Sequence, residues 1–209
     1  CLAGEFFNDS GSGNRIKMTY NRAEKSKTLM HGNEKGGRMN EFIGQFPLIV
    51  LSPRDLKLTT GTPHDRRRNF DLLISQVSRV YLDDLKNFNR VIKQKNSLLR
   101  DNLFNGRYSR TELITLIEPW NEELADFGLK ILLRRLDFIE EFKVYLNLCF
   151  AEIVGNRYVP VISYQSDVLT GGGETQKDVS YLREEFNAKL KEKLDLEIKR
   201  GISLFGLHR

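Results

Sequence analysis

The sequence predicts an α+β fold, in which a small mixed sheet carries a long antiparallel pair of helices. Two changes of periodicity indicate this class. Short alternating runs and glycine-containing turns fill residues 1–64, whereas from about Asp65 the apolar residues recur at helical spacings. After Gly155 a strand-like pattern returns. A helical insertion is therefore predicted between two parts of a sheet.

Three strands are predicted before the insertion. Residues Arg15–Tyr20 alternate charged and apolar side chains, the period of a half-buried strand. Residues Lys27–Met30 follow after a short turn and are predicted to pair back as a hairpin. The run Phe46–Leu51 is continuously apolar and ends before Pro53, a pattern typical of a strand covered on both faces.

Two long helices are predicted near residues 65–103 and 112–154. The spacing of Ser109 and Glu112 is that of a capping box, so the second helix should begin there. Pro119 is expected to interrupt this helix early. Apolar residues of the second helix fall in several heptad phases at once, which indicates burial against more than one neighbour rather than a two-stranded coiled coil.

After the insertion, Val159–Tyr164 is predicted to be a strand. A third helix, from Asp178 to Arg200, has one narrow apolar stripe and should lie on a surface. Ile202–Phe205 is predicted to be the last strand, entering the sheet just before the chain ends.

Composition limits the functional classes. A chain of 209 residues with 40% hydrophobic residues can bury a sizeable core. Charged residues make up 29%, and the net charge of +5 permits nucleic acid or another anionic partner. No apolar run approaches the roughly 20 residues of a membrane span, so no membrane partner is expected.

The two cysteines, Cys1 and Cys149, are too few for a disulfide scaffold. Cys149 lies in an apolar helical stretch and is predicted to be a buried, reduced thiol, as in a cytoplasmic protein. The chain opens on a cysteine rather than a methionine. We expect it to be a piece of something longer.

The sequence contains no nucleotide-hydrolysis motif of its own. No stretch matches the phosphate-binding pattern G-x-x-x-x-G-K-[ST], and no aliphatic run ends in paired acids. The three histidines, His31, His64 and His208, are scattered and lack partners at metal-ligand spacing. No cofactor, metal or catalytic residue is therefore predicted in this chain.

An unusual segment spans residues 52–71. It turns through Gly61 and Pro63 and places three consecutive arginines, residues 66–68, at a helix start, where the helix dipole favours acids. One interpretation is a solvated or salt-bridged start, offset by Asp65 and Asp71. The other is a phosphate or nucleic-acid contact, since guanidinium forks suit phosphate oxygens.

This segment resembles the RecF family, whose pattern is S-P-E-D-L-x-L-x-x-G-x-P-x-x-R-R-R-F-L-D. It departs from the pattern at Arg54 and at Asn69–Phe70. Further along, Ser75–Leu85, Lys93–Leu99, Trp120–Ala125 and Arg134–Leu136 resemble the family's arm helices, and Gly201–Arg209 is similar to its G-x-x-x-x-G-P-H-R element, with Leu207 in place of proline. The positions matching the first pattern are Ser52, Pro53, Asp55, Leu56, Leu58, Gly61, Pro63, Arg66, Arg67, Arg68 and Asp71.

The resemblance implies the middle of an ABC-type ATPase head. Residues 1–64 would form the edge of lobe I, 65–155 the helical arm of lobe II, and 156–209 the return strand, surface helix and re-entry strand. Walker A would lie upstream, and the signature and Walker B downstream. The intact protein would bind ATP and Mg²⁺ and form an ATP-dependent homodimer. The intact protein would resemble an ABC-type ATPase, but this chain lacks the catalytic motifs of that enzyme.

The resemblance also implies partners and a role. The partners would be DNA (single-stranded, duplex or a junction) and mediator proteins of the RecO and RecR types. The role would be in DNA replication, recombination, repair and the SOS response, helping to load recombinase at single-strand gaps in the cytoplasm. The alternative is a structural protein-interaction module with a helical arm and no nucleic-acid role. Salt-dependent binding would separate the two.

Individual residues receive roles from the same resemblance. Ser52 and Asp55 occupy a Q-loop-like position that would couple the nucleotide to lobe II; the alternative is a turn cap. Arg66, Arg67 and Arg68 would contact DNA or bridge the lobe and the arm. The remaining family-motif positions are Gly61, Pro63, Asp71, His208 and Arg209, the last two of which are alternatively a frayed terminus.

Overall fold

The computed structural model of the protein describes residues 2–7, 13–32, 34–35, 43–44, 52–155, 157–169 and 178–205. The chain divides into two compact units. The sheet unit comprises Cys1–Val50 with Ser75–Arg79, and the helical unit comprises Leu51–Ile74 with Val80–Arg209. The α+β class predicted from the sequence is confirmed.

The sheet unit is a meander of four strands in the order β1-β2-β3-β4. The strands are β1 (Leu2–Phe7), β2 (Gly13–Asn21), β3 (Ser26–His31) and β4 (Glu34–Lys35). Both predicted hairpin strands are confirmed as β2 and β3. Every pairing among the described strands is antiparallel, so the prediction of a mixed sheet is wrong for this part. Short turns join neighbouring strands, whereas parallel pairing needs a long crossover. The predicted strand at residues 46–51 lies outside the described residues.

The turn between β2 and β3 shows how the register is set. Tyr20 pairs with Lys27 and Asn21 with Ser26 across it. The Asn21 Oδ1 atom accepts a hydrogen bond from the Ala23 amide at 3.0 Å, and Lys25 adopts a φ of 49°. An asparagine side chain that bonds its own backbone two residues on is a turn-forming element. The hairpin follows from this local chemistry.

The helical unit begins with a 3-10 turn, Pro53–Leu56, and a short helix α1, Lys57–Thr60. The helix α2, Pro63–Val77, starts in this unit, and α3 follows at Arg79–Asn105. The first long helix was predicted as continuous over 65–103, and the structure divides it between α2 and α3 at Ser78. The remaining helices are α4, Arg110–Val154, and α5, Val179–Arg200.

The capping box predicted at the start of α4 is confirmed. The Ser109 amide donates to Glu112 Oε2 at 2.8 Å, and the Glu112 amide donates to Ser109 Oγ at 3.3 Å. These hydrogen bonds with Ser109 lower the pKa of the Glu112 carboxyl. Gly106, with a φ of +57°, ends the preceding helix in a conformation that favours glycine.

The expectation that Pro119 interrupts α4 is wrong, because the helix is continuous for 45 residues through that position. Proline in a helix interior costs about 3 kcal/mol. Ile117 and Leu124, on either side of it, are both fully buried. Burying two such side chains contributes roughly 3–6 kcal/mol, which offsets the cost.

Helices α3 and α4 form the predicted antiparallel pair. Near the loop that joins them, Leu99 packs with Leu113 and Ile117. Farther from the loop, Lys95 reaches Asn121, with 2.8 Å between Nζ and Oδ1, and Tyr81 reaches Arg135. The contacts move backward along α3 as they move forward along α4, which is the signature of an antiparallel hairpin.

The core of the helical unit lies among α3, α4 and α5, as the broad apolar face of α4 predicts. From α5, Leu182, Phe186 and Leu190 enter it. Gly128 of α4 is needed for this packing, because a Cβ atom there would collide with the Phe186 ring. The buried core residues of α4 are Leu113, Ile117, Leu124, Ala125, Leu129, Ile131, Leu132, Leu136 and Ile139.

Two predicted strands are not formed. Val159–Tyr164 is irregular, without strand pairing to any described residue, and Val161 is 90% exposed. Ile202–Phe205 is also irregular. There the amides of Leu204 and Phe205 donate to the Glu197 carboxylate, so they are engaged outside any sheet. The return strand and re-entry strand assigned to residues 156–209 are therefore wrong within the described part.

Cys149 also differs from its prediction, because its side chain is exposed on α4 rather than buried. The apolar character of the surrounding sequence does not translate into burial at this end of the helix, where Tyr145, Leu148 and Ile153 are exposed as well. None of the described helices combines the length and the apolar composition that a membrane span requires.

Candidate functional site

The segment that carries the family-like pattern begins with a closed turn. The amide and the hydroxyl of Ser52 both donate to Asp55 Oδ2, the hydroxyl at 3.0 Å, and the Asp55 amide donates to the Ser52 carbonyl at 2.9 Å. This is the geometry of a side-chain turn cap. The coupling role of these two residues stays a prediction.

Gly61 and Pro63 shape the next turn. The Gly61 amide donates to the Lys57 carbonyl at 2.9 Å, and a Cβ atom on Gly61 would collide with that carbonyl oxygen. Pro63 is the first residue of α2, a position where its missing N–H costs nothing. Both family-motif positions thus have a local structural reason.

A second capping arrangement starts α2. The Thr62 amide and hydroxyl donate to Asp65 Oδ2 at 3.0 and 2.8 Å, and the Asp65 amide donates to Thr62 Oγ1 at 3.3 Å. These bonds favour the ionised carboxylate and lower the pKa of Asp65. A negative charge at this helix start counters the three arginines that follow it.

The three arginines lie in different environments. Arg66 is exposed and donates from Nη1 to the Gly61 carbonyl at 3.0 Å. Arg67 is half-buried, and Arg68 is exposed. Successive helix residues point about 100° apart, so the triplet does not form one flat contact surface. The DNA contact of the triplet stays a prediction, and Arg66 also supports the turn.

Asp71 is the centre of a buried cluster, here named the Asp71–Arg135 cluster, which also includes Tyr81 and Tyr164. Arg135 is 2% exposed and Asp71 7% exposed. Arg135 Nη2 lies 2.7 Å from Oδ1 and 2.9 Å from Oδ2 of Asp71, and Arg135 Nε lies 2.9 Å from Oδ1. This is a forked guanidinium–carboxylate pair, which adds specific geometry to charge attraction.

The two tyrosines complete the cluster. The Tyr81 hydroxyl donates to Asp71 Oδ1 and accepts from Arg135 Nε at 3.0 Å, and Arg135 Nη1 donates to the Tyr164 hydroxyl at 2.9 Å. Burial raises the pKa of Tyr81 well above its usual range, and the neighbouring Asp71 charge adds to the shift. The cluster ties α2, α3, α4 and the irregular segment that carries Tyr164 together. Sequence reasoning marked Asp71 as a motif position but did not identify Arg135 as its partner.

A second buried cluster, the Lys95–Glu197 cluster, joins α3, α4 and α5. Lys95 and Glu197 are both fully buried, with 2.7 Å between Nζ and Oε2, and Lys95 Nζ also donates to Asn121 Oδ1 at 2.8 Å. Burial lowers the pKa of Lys95, and the Glu197 charge opposes this shift. Both residues look like ordinary surface charges in the sequence, so nothing predicted their pairing.

The other carboxylate oxygen of Glu197 binds the chain that follows α5. Glu197 Oε1 accepts from the Leu204 amide at 2.7 Å, the Phe205 amide at 3.1 Å and the Ser203 hydroxyl at 2.9 Å. The Ser203 amide donates to Asn96 Oδ1 of α3 at 2.6 Å. Residues 203–205 are thereby fixed to the helical core.

Two of the predicted site residues, His208 and Arg209, lie outside the described residues. Of the others, Asp71 is buried and paired, while Ser52, Asp55, Gly61 and Pro63 build the turns before α2. Within the described part of the chain, no group of three or more histidine, cysteine or acidic side chains is arranged to hold a metal ion.

The chain is similar in sequence to several curated proteins named DNA replication and repair protein RecF. It is 30% identical to that of Chloroherpeton thalassium over 201 residues, covering 96% of this chain and 52% of the relative. It is 33% identical to that of Staphylococcus epidermidis strain RP62A over 194 residues, covering 93% of this chain and 51% of the relative. With the Chlorobium luteolum protein the identity is 28% over 208 residues, covering 100% and 54%. No protein-family model matches the chain.

Solved structures agree. The recombination mediator protein RecF-ATPrS in the RecFOR pathway superposes with a TM-score of 0.79 at 25% identity, covering 95% of this chain and 51% of the other. The corresponding RecF-ATP structure gives a TM-score of 0.80 at 24% identity, covering 96% and 51%, and supports the fold alone. The chain spans about half the length of the relatives it matches. Along nearly its whole length, the chain is similar in sequence and fold to RecF proteins.

Proposed function

We propose that this chain is part of a RecF-type protein of DNA replication and repair that binds DNA. The observation that carries the proposal is the match along more than nine-tenths of the chain to proteins of that name. The folded motif segment supports it, because Gly61, Pro63 and Asp71 each have a defined structural place.

In the intact protein, ATP would bind with Mg²⁺ to motifs that this sequence does not contain. One of the solved relatives is described as RecF-ATPrS, which supports the nucleotide. Residues 1–64 would belong to lobe I, 65–155 to the arm and 156–209 to the return toward the head. Ser52 and Asp55 would couple the nucleotide to the arm through the turn that they close.

The wider role follows from the same kinship. The intact protein would act in the cytoplasm as an ATP-dependent homodimer, with RecO and RecR type mediators, and help load recombinase at single-strand gaps. The RecFOR pathway is named for the solved relative with bound ATPrS. The alternative of a structural interaction module without a nucleic-acid role is not favoured, because the curated relatives carry replication and repair names.

The test is binding of this chain to a fluorescein-labelled DNA duplex across a salt series, followed by fluorescence anisotropy. Phosphate contacts release counterions, so the logarithm of the association constant should fall linearly with the logarithm of salt, by about 0.9 per contact. Binding that is absent, or that does not depend on salt, contradicts the proposal. A second labelled polyanion, heparin, measures how much of the affinity is charge attraction alone.

The arginine triplet is tested in the same assay. Arg66→Ala, Arg67→Ala and Arg68→Ala together should lower the salt slope if these residues contact DNA. If they instead support the turn and the helix, the melting temperature should fall by several degrees while the salt slope stays unchanged. Arg68→Ala alone is the cleaner variant, because Arg68 is exposed and Arg66 bonds the Gly61 carbonyl.

A further inference from the structure

The solvent side of α3 is unusually basic. Residues 85–100 contain five lysines and arginines and not one acidic residue. One of the five, Lys95, is buried in its ion pair with Glu197. The other four, Lys86, Arg90, Lys93 and Arg100, are separated by four, three and seven residues. That spacing places them along one face of the helix, here named the α3 basic face.

The opposite side of the same helix faces the core. Phe88, Val91 and Leu99 are almost completely buried, whereas Arg90, Lys93 and Arg100 are exposed. From Lys86 to Arg100 the basic face extends about 21 Å, at 1.5 Å per residue. This length corresponds to roughly half a turn or more of duplex DNA.

Most of these charges have no acidic partner. Lys86 lies 3.3 Å from Asp83, but Arg90, Lys93 and Arg100 form no ion pair with any residue that the structure describes. Some basic residues on neighbouring helices are paired instead: Arg110 pairs with Asp195, and Arg183 with Asp126. An unneutralised row of cations attracts an anionic partner, and its desolvation would oppose docking of an apolar surface.

The end of the face near Arg100 is shaped as an open groove. Lys93, Ser97, Arg100 and Phe104 line it, and its volume is about 500 Å³. Phe104 is 77% exposed there. The one acid in the groove, Asp101, accepts from Asn105 Nδ2 at 2.6 Å and lies 3.5 Å from Arg107 Nη1, so its charge is partly neutralised.

A second basic pair lies at the same end. A Cβ atom on Gly201 would stand 3.5 Å from the Cα atom of Arg100, so the end of α5 is in contact with α3. The two residues before Gly201 are Lys199 and Arg200, and both are exposed. Positive charge therefore continues from the α3 basic face onto the last turn of α5.

We propose that the α3 basic face binds the sugar–phosphate backbone of duplex DNA, with Arg90, Lys93 and Arg100 as the principal phosphate contacts. The inference rests on the proposed function and adds the surface that carries it. Contacts from a regular row of lysines and arginines to phosphates position a protein on DNA without reading its sequence. We therefore expect binding that depends on salt and is indifferent to base sequence.

The experiment compares two variants of the whole chain. In the first, Arg90→Gln, Lys93→Gln and Arg100→Gln remove three charges from the face. In the matched control, Lys17→Gln, Arg22→Gln and Lys27→Gln remove three exposed charges from β2, β3 and the turn between them. Anisotropy with a labelled duplex of about two helical turns is recorded over a salt series, and circular dichroism confirms that both variants fold.

We expect the first variant to lose about 2 to 3 units of the log–log salt slope and the control to stay within about 1 unit of the unmodified chain. Replacing Arg90 and Arg100 by lysine should keep most of the slope. Equal losses of salt slope in both variants would mean that only the net charge of the chain matters, and would overturn the inference.

The failure of the inference is distinguishable from the failure of the proposed function. If the unmodified chain binds DNA with a steep salt slope and the Arg90, Lys93 and Arg100 variant does the same, the surface is wrong and the function stands. If the unmodified chain shows no salt-dependent binding, the proposed function fails first. A loss seen with a single strand but not with a duplex would overturn the assignment to duplex DNA.

Discussion

The two buried clusters of the helical unit use their ion pairs differently. In the Asp71–Arg135 cluster, both oxygens of the carboxylate are taken up by one guanidinium group, and Tyr81 and Tyr164 complete the hydrogen bonds. In the Lys95–Glu197 cluster, one carboxylate oxygen faces the lysine and the other holds the backbone of residues 204 and 205. The first cluster joins helices through side chains, and the second fixes a loop.

The choice of cation matches this difference. Arginine stays charged at any accessible pH and offers a rigid fork, so Arg135 needs several acceptors whatever the conditions. Lysine is a point charge whose pKa falls on burial. Lys95 can therefore lose its proton and become neutral when its partner is removed. The two clusters should therefore fail in different ways when their acids are changed.

The largest effect is expected from Asp71→Ala. The substitution leaves Arg135 buried without its counterion, which should lower the free energy of unfolding by about 3–5 kcal/mol. Urea unfolding followed by circular dichroism measures it. The double variant Asp71→Ala with Arg135→Met is the control and should recover most of the loss, because the orphaned charge is gone. A loss below about 1 kcal/mol in the single variant would show that the pair is not buried as described.

Glu197→Gln should cost less, about 2 kcal/mol at neutral pH. Without the carboxylate, burial acts on Lys95 unopposed, and its pKa falls further. The unfolded chain then binds more protons than the folded one from that lowered pKa up to the ordinary value, so the stability of the variant should rise with pH in this window. Urea midpoints on both sides of neutrality detect the rise. Adding Lys95→Met should abolish it, and a rise that persists would assign it to another group.

The two clusters should also respond to alkali in opposite directions. Burial keeps the pKa of Tyr81 above its ordinary value of 10.0 in the folded chain. The contribution of Tyr81 to the free energy of unfolding is therefore complete below pH 10.0 and is lost as the pH rises above that value. Lys95 has a lowered pKa in the folded chain. Between that lowered pKa and 10.5, it therefore increases the free energy of unfolding as the pH rises. Above pH 10.0, Tyr81 should lower the free energy of unfolding by up to about 1.4 kcal/mol for each pH unit, and Tyr81→Phe should remove this dependence. Thermal melts of both proteins between neutral pH and about pH 11 test this, and identical slopes would contradict it.

The smallest effect is expected from Ser203→Ala. It removes the hydroxyl that donates to Glu197 at 2.9 Å and leaves the two backbone amides in place. The expected loss is about 1 kcal/mol in urea unfolding. Ser97→Ala, an exposed position inside α3, should cause no loss because alanine is a better helix former. A loss larger than that of Glu197→Gln would mean that the hydroxyl, not the carboxylate, organises the loop.

Local signals were read correctly from the sequence. Ser109 and Glu112 form their capping box from neighbouring residues alone, and the hairpin of β2 and β3 is set by its turn. The single apolar stripe predicted for α5 is also present, because Leu182, Phe186 and Leu190 enter the core. Such features need no information about distant residues.

Features that depend on distant residues were not predicted from the sequence. The alternation at residues 159–164 is strand-like, but a strand requires a partner that no local pattern supplies. The amides of Leu204 and Phe205 are taken by Glu197, and Pro119 stays helical because its neighbours are buried. Arg135 and Lys95 find their acids 64 and 102 residues away, as their positions in the sequence show. The family resemblance thus located the motif segment in the sequence. The buried ion pairs of Asp71 with Arg135 and of Lys95 with Glu197 were found only in the structure.

The length of α4 has a consequence for how the chain opens. Its buried residues end at Ile139, and between Glu140 and Val154 the helix has no fully buried side chain among the described residues. Tertiary packing supplies most helical stability, so the last turns depend on their own backbone hydrogen bonds. Amide hydrogens there should exchange by local fraying, while those near Leu124 and Ile131 should exchange only with global unfolding. A single unbroken helix thus carries amides that exchange by local opening and amides that exchange only when the unit unfolds.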